Sequence, residues 1–189
     1  MIIVWVLVGV LVLVLLWVVA AYNSLVGLRM RAKEALSDIT VQSKRRYDLI
    51  PNLVATVKGY AKHESKVFAD VAKARSTAMQ AKGLSNKAQA EDALTDTLKS
   101  LFAVAENYPA LRATENFSKL QDELSETENK IEASRRYYNG SVRDLNVKMQ
   151  VFPTNLIATK LGFKEMDLFD VEESEKEKVK QAPKVDIEN

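Results

Sequence analysis

Residues 1–21 read MIIVWVLVGVLVLVLLWVVAA, and residues 22–53 continue YNSLVGLRMRAKEALSDITVQSKRRYDLIPNL. The first stretch carries no charged side chain. A helix rises about 1.5 Å per residue, so about 20 residues cross the roughly 30 Å hydrocarbon core of a bilayer. Fifteen of the residues from Ile2 to Val19 are Ile, Leu or Val. At about −0.3 to −0.6 kcal/mol each, they favour insertion by on the order of 5–9 kcal/mol. Trp5 lies near one end; Trp17, Tyr22 and then Arg29 lie near the other, where interfacial side chains belong. A cleaved signal peptide would begin basic, carry a shorter apolar run and end in a small-residue cleavage site. A soluble core helix would be punctuated by polar residues. Residues 1–21 are therefore expected to form a single transmembrane anchor.

Charge sets the expected orientation. Arg29, Arg31 and Lys33 follow the span, and no Lys or Arg precedes it. The positive-inside rule then places the N-terminus outside and the body in the cytoplasm. A net charge of +2 argues against a general nucleic-acid binder, which shows a strong basic excess. The absence of cysteine fits a reducing compartment without requiring one.

Beyond the span, apolar residues recur three and four apart, and strand signals are nearly absent. Leu25, Leu28, Ala32, Ala35, Ile39 and Gln42 mark a first soluble helix to about Tyr47. Leu53, Val57, Tyr60, Glu64, Val67, Val71, Ala74 and Ala78 mark a second with a coiled-coil-like heptad seam. Gly83, Ser85 and Asn86 break it. Ala90, Leu94, Leu98, Leu101 and Ala105 mark a third, stopped by Tyr108 and Pro109. Phe117, Leu120, Leu124, Thr127, Ile131, Ser134, Tyr138, Leu145 and Phe152 mark a long fourth, ended by Pro153. Four amphipathic helices with short loops predict an all-α protein, an antiparallel up-and-down four-helix bundle over residues 22–169. Pro51 decides the count. A turn at Asp48–Asn52 separates the first two helices; a mere kink would make residues 22–82 one rod of about 90 Å. The turn is the expectation, because Asp48 can cap a helix start.

Several stretches resemble the LemA family: YNxLV at 22–26, QxKRRYDLIPNLV at 42–54, KGYAKHE at 58–64, AENYP at 105–109, FxxLQxELxxTE at 117–128, RxYN at 136–139, and Phe152-Pro153 followed by Gly162-Phe163. The similarity covers about residues 1–169 in order. It implies an N-terminally anchored, cytoplasmic four-helix bundle in a bacterial inner membrane. It implies no defined chemistry. The family includes a magnetosome-membrane protein, and its genes often accompany a membrane zinc metalloprotease.

Catalysis is not expected, nor is a cofactor or metal. His63 is the sole histidine and there is no cysteine, which excludes a His/Cys metal site and a cysteine nucleophile. The six glycines are scattered, so no phosphate-cradling loop occurs. Polar residues on the core seams are candidate buried groups: Glu64, Thr127 and Ser134. A buried carboxylate needs a partner, and Arg75, Arg135 and Arg136 qualify by type. With a turn at Pro51, up-and-down topology brings it beside the Asn107–Leu111 turn. Arg45, Arg46, Asp48, Tyr108 and Arg112 would then form a docking tip about 40 Å from the membrane.

Phe152, Leu156, Ile157, Leu161, Phe163, Met166, Leu168 and Phe169 form a short apolar cap, expected to plug the bundle base, with contact to lipid as the alternative. Residues 170–189, charge-rich and without aromatics, read as a disordered tail. Two functions follow as expectations. The first is a membrane-bound scaffold or adaptor, self-assembling or docking a protein. The second is a ligand-binding sensor serving a membrane partner such as a protease.

Overall fold

The computed structural model describes residues 1–169, and the 170–189 tail lies outside the described residues. Among the described residues the chain is helical, with no strand. Its elements are α1 (Ile2–Tyr60), α2 (Ser65–Gln80), α3 (Leu84–Glu106), the single turn α4 (Pro109–Arg112), α5 (Glu115–Gln150) and the single turn α6 (Asn155–Ala158). One helix, α1, is long and apolar enough at its start to cross a membrane. Residues 1–16 are all exposed.

The expected turn at Asp48–Asn52 is absent. Pro51 lies inside α1, which continues from the apolar run to Tyr60. The physical reason is a substitute hydrogen bond. Proline has no N–H, so the carbonyl four residues earlier, that of Tyr47, loses its helical donor. Arg75 Nε donates to that carbonyl at 2.7 Å. Pro51 itself is exposed. The break falls instead at 61–64, where the helix closes on Ala61 N–H to Val57 carbonyl and a turn follows.

The later boundaries sit close to the sequence periodicity. Gly83 holds φ +83° ahead of α3, a conformation that favours glycine. Pro109 occupies the first turn of α4, where its missing N–H costs nothing.

Contacts divide the described chain into two units, the first of Met1–Arg46 and Ser125–Leu168, the second of Tyr47–Leu124 with Phe169. In the second unit α2 packs along α3. One core there joins Tyr47, Ile50, Leu53 and Val57 to Phe68, Val71, Leu94, Leu98, Leu101, Leu111, Phe117 and Leu124. The first unit buries Ala32, Ala35 and Ile39 from α1, and Ile131, Tyr138, Val142 and Leu145 from α5. At one end Leu25, Leu145, Met149, Ala158 and Phe163 share a cluster.

Candidate functional site

The polar chemistry of the second unit gathers on Tyr47. Its backbone carbonyl accepts from Arg75 of α2, and its hydroxyl donates to a carboxylate oxygen of Glu91 on α3. Glu91 is fully buried and Tyr47 nearly so. A carboxylate inside a core persists only when hydrogen-bonded, because desolvation of the charged form is costly. One residue thus ties α1 to both α2 and α3. The arrangement can fix helix register; Thr95 adds a hydroxyl bond to the Glu91 carbonyl within α3.

In the first unit, the buried guanidinium of Arg46 pairs with Glu128 of α5 at 3.0 Å. Two residues before Glu128 on α5, the exposed Glu126 carboxyl is held below the usual carboxylate range. The hydrogen bond from Lys130 is the main cause, with the charges of Lys130 and Arg45 adding to it. Further along, the Tyr138 hydroxyl donates to the Asp167 carbonyl at 2.9 Å. Burial pushes its pKa up, and the Asp167 charge pushes the same way. Asn146 clamps the adjacent backbone, donating to the Met166 carbonyl at 2.9 Å and accepting from its N–H at 3.0 Å.

The end nearest the apolar run is also built from named contacts. Phe163 meets Tyr22 edge to face, with ring centres 5.7 Å apart, and the Arg29 guanidinium lies 5.1 Å over the Phe163 ring. Lys148 Nζ donates to Ser24 Oγ at 2.6 Å. Trp5 is exposed and Trp17 half-buried.

The sequence-predicted residues fare unevenly. Thr127 is buried, whereas Glu64 and Ser134 are half-buried. Glu64 does not stand on a helical seam: it precedes α2 within the 61–64 break. Arg46 is corrected outright, since a side chain buried against Glu128 is no part of an exposed docking face. Arg45, Asp48 and Arg112 are exposed and Tyr108 is half-buried. The docking tip loses its premise, because α1 has no turn at Asp48–Asn52 to form it. Sequence reasoning missed Glu91 and Tyr47. The signal for Glu91 was present: 91, 94, 98, 101 and 105 step by three and four, so the seam passes through Glu91 as well as Ala90.

His63 is exposed in the 61–64 turn. Among the described residues no three His, Cys, Asp or Glu side chains converge as a metal site would require. A groove of about 290 Å³ between α2 and α3 is lined by Asp70, Lys73, Thr77 and Thr97 with three alanines.

Comparison with known proteins gives the context. The chain is 24% identical over 174 residues to the magnetosome protein MamQ of Magnetospirillum gryphiswaldense, covering 78% of this chain and 64% of that one. A second MamQ, from Paramagnetospirillum magneticum, is 23% identical over the same coverage. The chain thus spans a little under two thirds of these magnetosome relatives. Protein LemA of Metamycoplasma hominis is 26% identical over 159 residues, covering 82% of this chain and 71% of that one. The LemA family profile matches residues 35–186. With well over half of its length matched in this way, the chain belongs to the LemA family.

Proposed function

We propose that the protein is a non-enzymatic, membrane-anchored scaffold or adaptor, built on an antiparallel helical bundle at the cytoplasmic face of the inner membrane. One observation carries this reading: the apolar run and the first buried seam belong to a single helix, α1, from Ile2 to Tyr60. A helix without a flexible joint after its lipid-crossing part suits a protein that holds a surface near the membrane. Arg29, Arg31 and Lys33, just past the span, support the cytoplasmic orientation. The relatives named as magnetosome proteins fit a role at a membrane, and self-assembly through helices is the form we favour.

Photocrosslinking in intact membranes tests this. A photoreactive residue is placed at the exposed positions Asp48, Met79 and Arg112, and products are identified by mass spectrometry. Recurrent crosslinks to a second copy, or to one defined membrane protein, are expected. A chain that yields only monomer from every position would overturn the scaffold.

The groove between α2 and α3 favours a second reading, a sensor that binds a ligand and serves a membrane partner such as a protease. A small molecule that co-purifies with the native chain and is lost from Thr97→Trp would select this reading over the first.

A further inference from the structure

We propose that residues 151–161, the turn region around α6, form a second membrane contact that lies in the headgroup layer beside the N-terminal span. The proposal rests on the anchor reading and adds a lipid-facing surface to it.

Position is the first argument. Ala158 and Phe163 share a buried cluster with Leu25, and Phe163 also meets Tyr22 and Arg29. Lys148, just before the segment, reaches Ser24. These α1 residues are the first two turns after residue 21. Leu25 stands about 6 Å beyond that point along the helix axis. The polar layer of one leaflet is about 5–8 Å thick. The contacts therefore fasten the segment at headgroup depth.

Exposure is the second. Phe152 is 79% exposed and Leu156 58%, and Val151 and Leu161 are exposed as well. Thr154 and Ala158 are buried. Asn155–Ala158 forms the single turn α6, its Ala158 N–H bonded to the Thr154 carbonyl. Residues two apart on such a turn point to nearly opposite sides. Thr154 and Ala158 thus face the protein and Leu156 faces away from it, while Phe152, ahead of that turn, faces away by its own exposure. Large apolar side chains turned outward beside a membrane span are accounted for by lipid.

Charge is the third. Lys160 and Lys164 are offset by Glu165 and Asp167. The contact is therefore apolar, and zwitterionic lipid suffices for it. The lysine stems can lie along the apolar layer with their ammonium groups in water.

The chain has no cysteine, so single-cysteine variants take one nitroxide each. The full chain, as Phe152→Cys or Leu156→Cys, is placed in phosphatidylcholine nanodiscs. Accessibility is read to oxygen, which concentrates in lipid, and to a water-soluble nickel chelate. Val10→Cys reports the span and Lys99→Cys, an exposed position of α3, reports water. Oxygen-to-nickel ratios at 152 and 156 several-fold above position 99, and below position 10, are expected. Ratios at 152 and 156 equal to position 99, with position 10 in lipid, overturn this contact and leave the anchor standing. Exclusion of both reagents means that protein covers the segment and overturns it too. Nickel access at position 10 removes the anchor, and this proposal with it.

Discussion

The Arg75 side chain occupies the hydrogen-bonding place that Pro51 leaves empty, its Nε lying 2.7 Å from the Tyr47 carbonyl oxygen. An interior proline costs a helix about 3 kcal/mol through the lost bond and the ring clash. A charged donor to the orphaned carbonyl returns about 1.5–3 kcal/mol. Arg75→Ala is therefore expected to lower stability by roughly 1–3 kcal/mol. In a Pro51→Ala background the loss should shrink, because the new Ala N–H takes the carbonyl. Chemical denaturation of the four detergent-solubilised chains gives the coupling. Strictly additive costs would show that Arg75 does not serve the proline gap.

The Tyr47 hydroxyl makes a separate prediction. Tyr47→Phe removes its bond to buried Glu91 but keeps the ring in the core. Losing this one hydrogen bond to a buried carboxylate is expected to cost about 1–3 kcal/mol. Glu91→Gln keeps a carbonyl for the hydroxyl and should cost less than Glu91→Leu. Equal losses for the two Glu91 variants would mean that the hydrogen bond contributes nothing.

Ion pairs in this chain differ in worth according to burial. Arg46 is 3% exposed in its side chain against Glu128, whereas Lys119 and Glu115 pair with both side chains more than two-thirds exposed. Glu128→Gln should destabilise by about 1–3 kcal/mol, because it removes the negative charge that faces a buried guanidinium. Glu115→Gln should barely move the denaturation midpoint, because solvent screens its pair. Finding the larger effect at Glu115 would refute the ranking.

Tyr138 predicts behaviour in alkali. Its folded pKa is raised by burial and then by the Asp167 charge, so the neutral phenol is favoured in the folded state. That contribution to stability is fully present below about pH 10, the unfolded value, and is lost as pH rises through the folded one. The tyrosinate absorbance missing from Tyr138→Phe should therefore titrate above the ordinary tyrosine range. Asp167→Asn should bring it part of the way down, leaving the effect of burial. A missing component centred at or below the ordinary value would contradict this.

Much of the fold was legible in the sequence because helical periodicity survives in the buried residues. Leu94, Leu98, Leu101 and Ala105 are buried as their spacing requires, and so are Leu25, Ala32, Ala35 and Ile39. Pro51 misled because a local helix breaker was weighed above a longer pattern. Ile39, Ser43, Arg46, Ile50, Leu53 and Val57, all buried, step by three or four straight through the proline. That seam was visible had polar Ser43 and Arg46 been admitted to it. The Arg75 bond was not visible, since its acceptor is a backbone atom with no trace in residue type. The buried polar centre was obscured for a related reason: Glu91 and Arg46 look like surface residues until their partners are known.

The division of the chain also sets an order in time. Residues 47–124 are contiguous, so their core can close as soon as they are made. Ser24 must wait for Lys148, 124 residues later. At about 5–20 residues per second, the ribosome needs roughly 6–25 s to supply that partner. Throughout this interval the apolar seam of α1 from Leu25 to Ile39 has no α5 to cover it. The nascent chain is thus most vulnerable just beyond its first 21 residues, where a chaperone, a membrane surface or another nascent copy can reach it first.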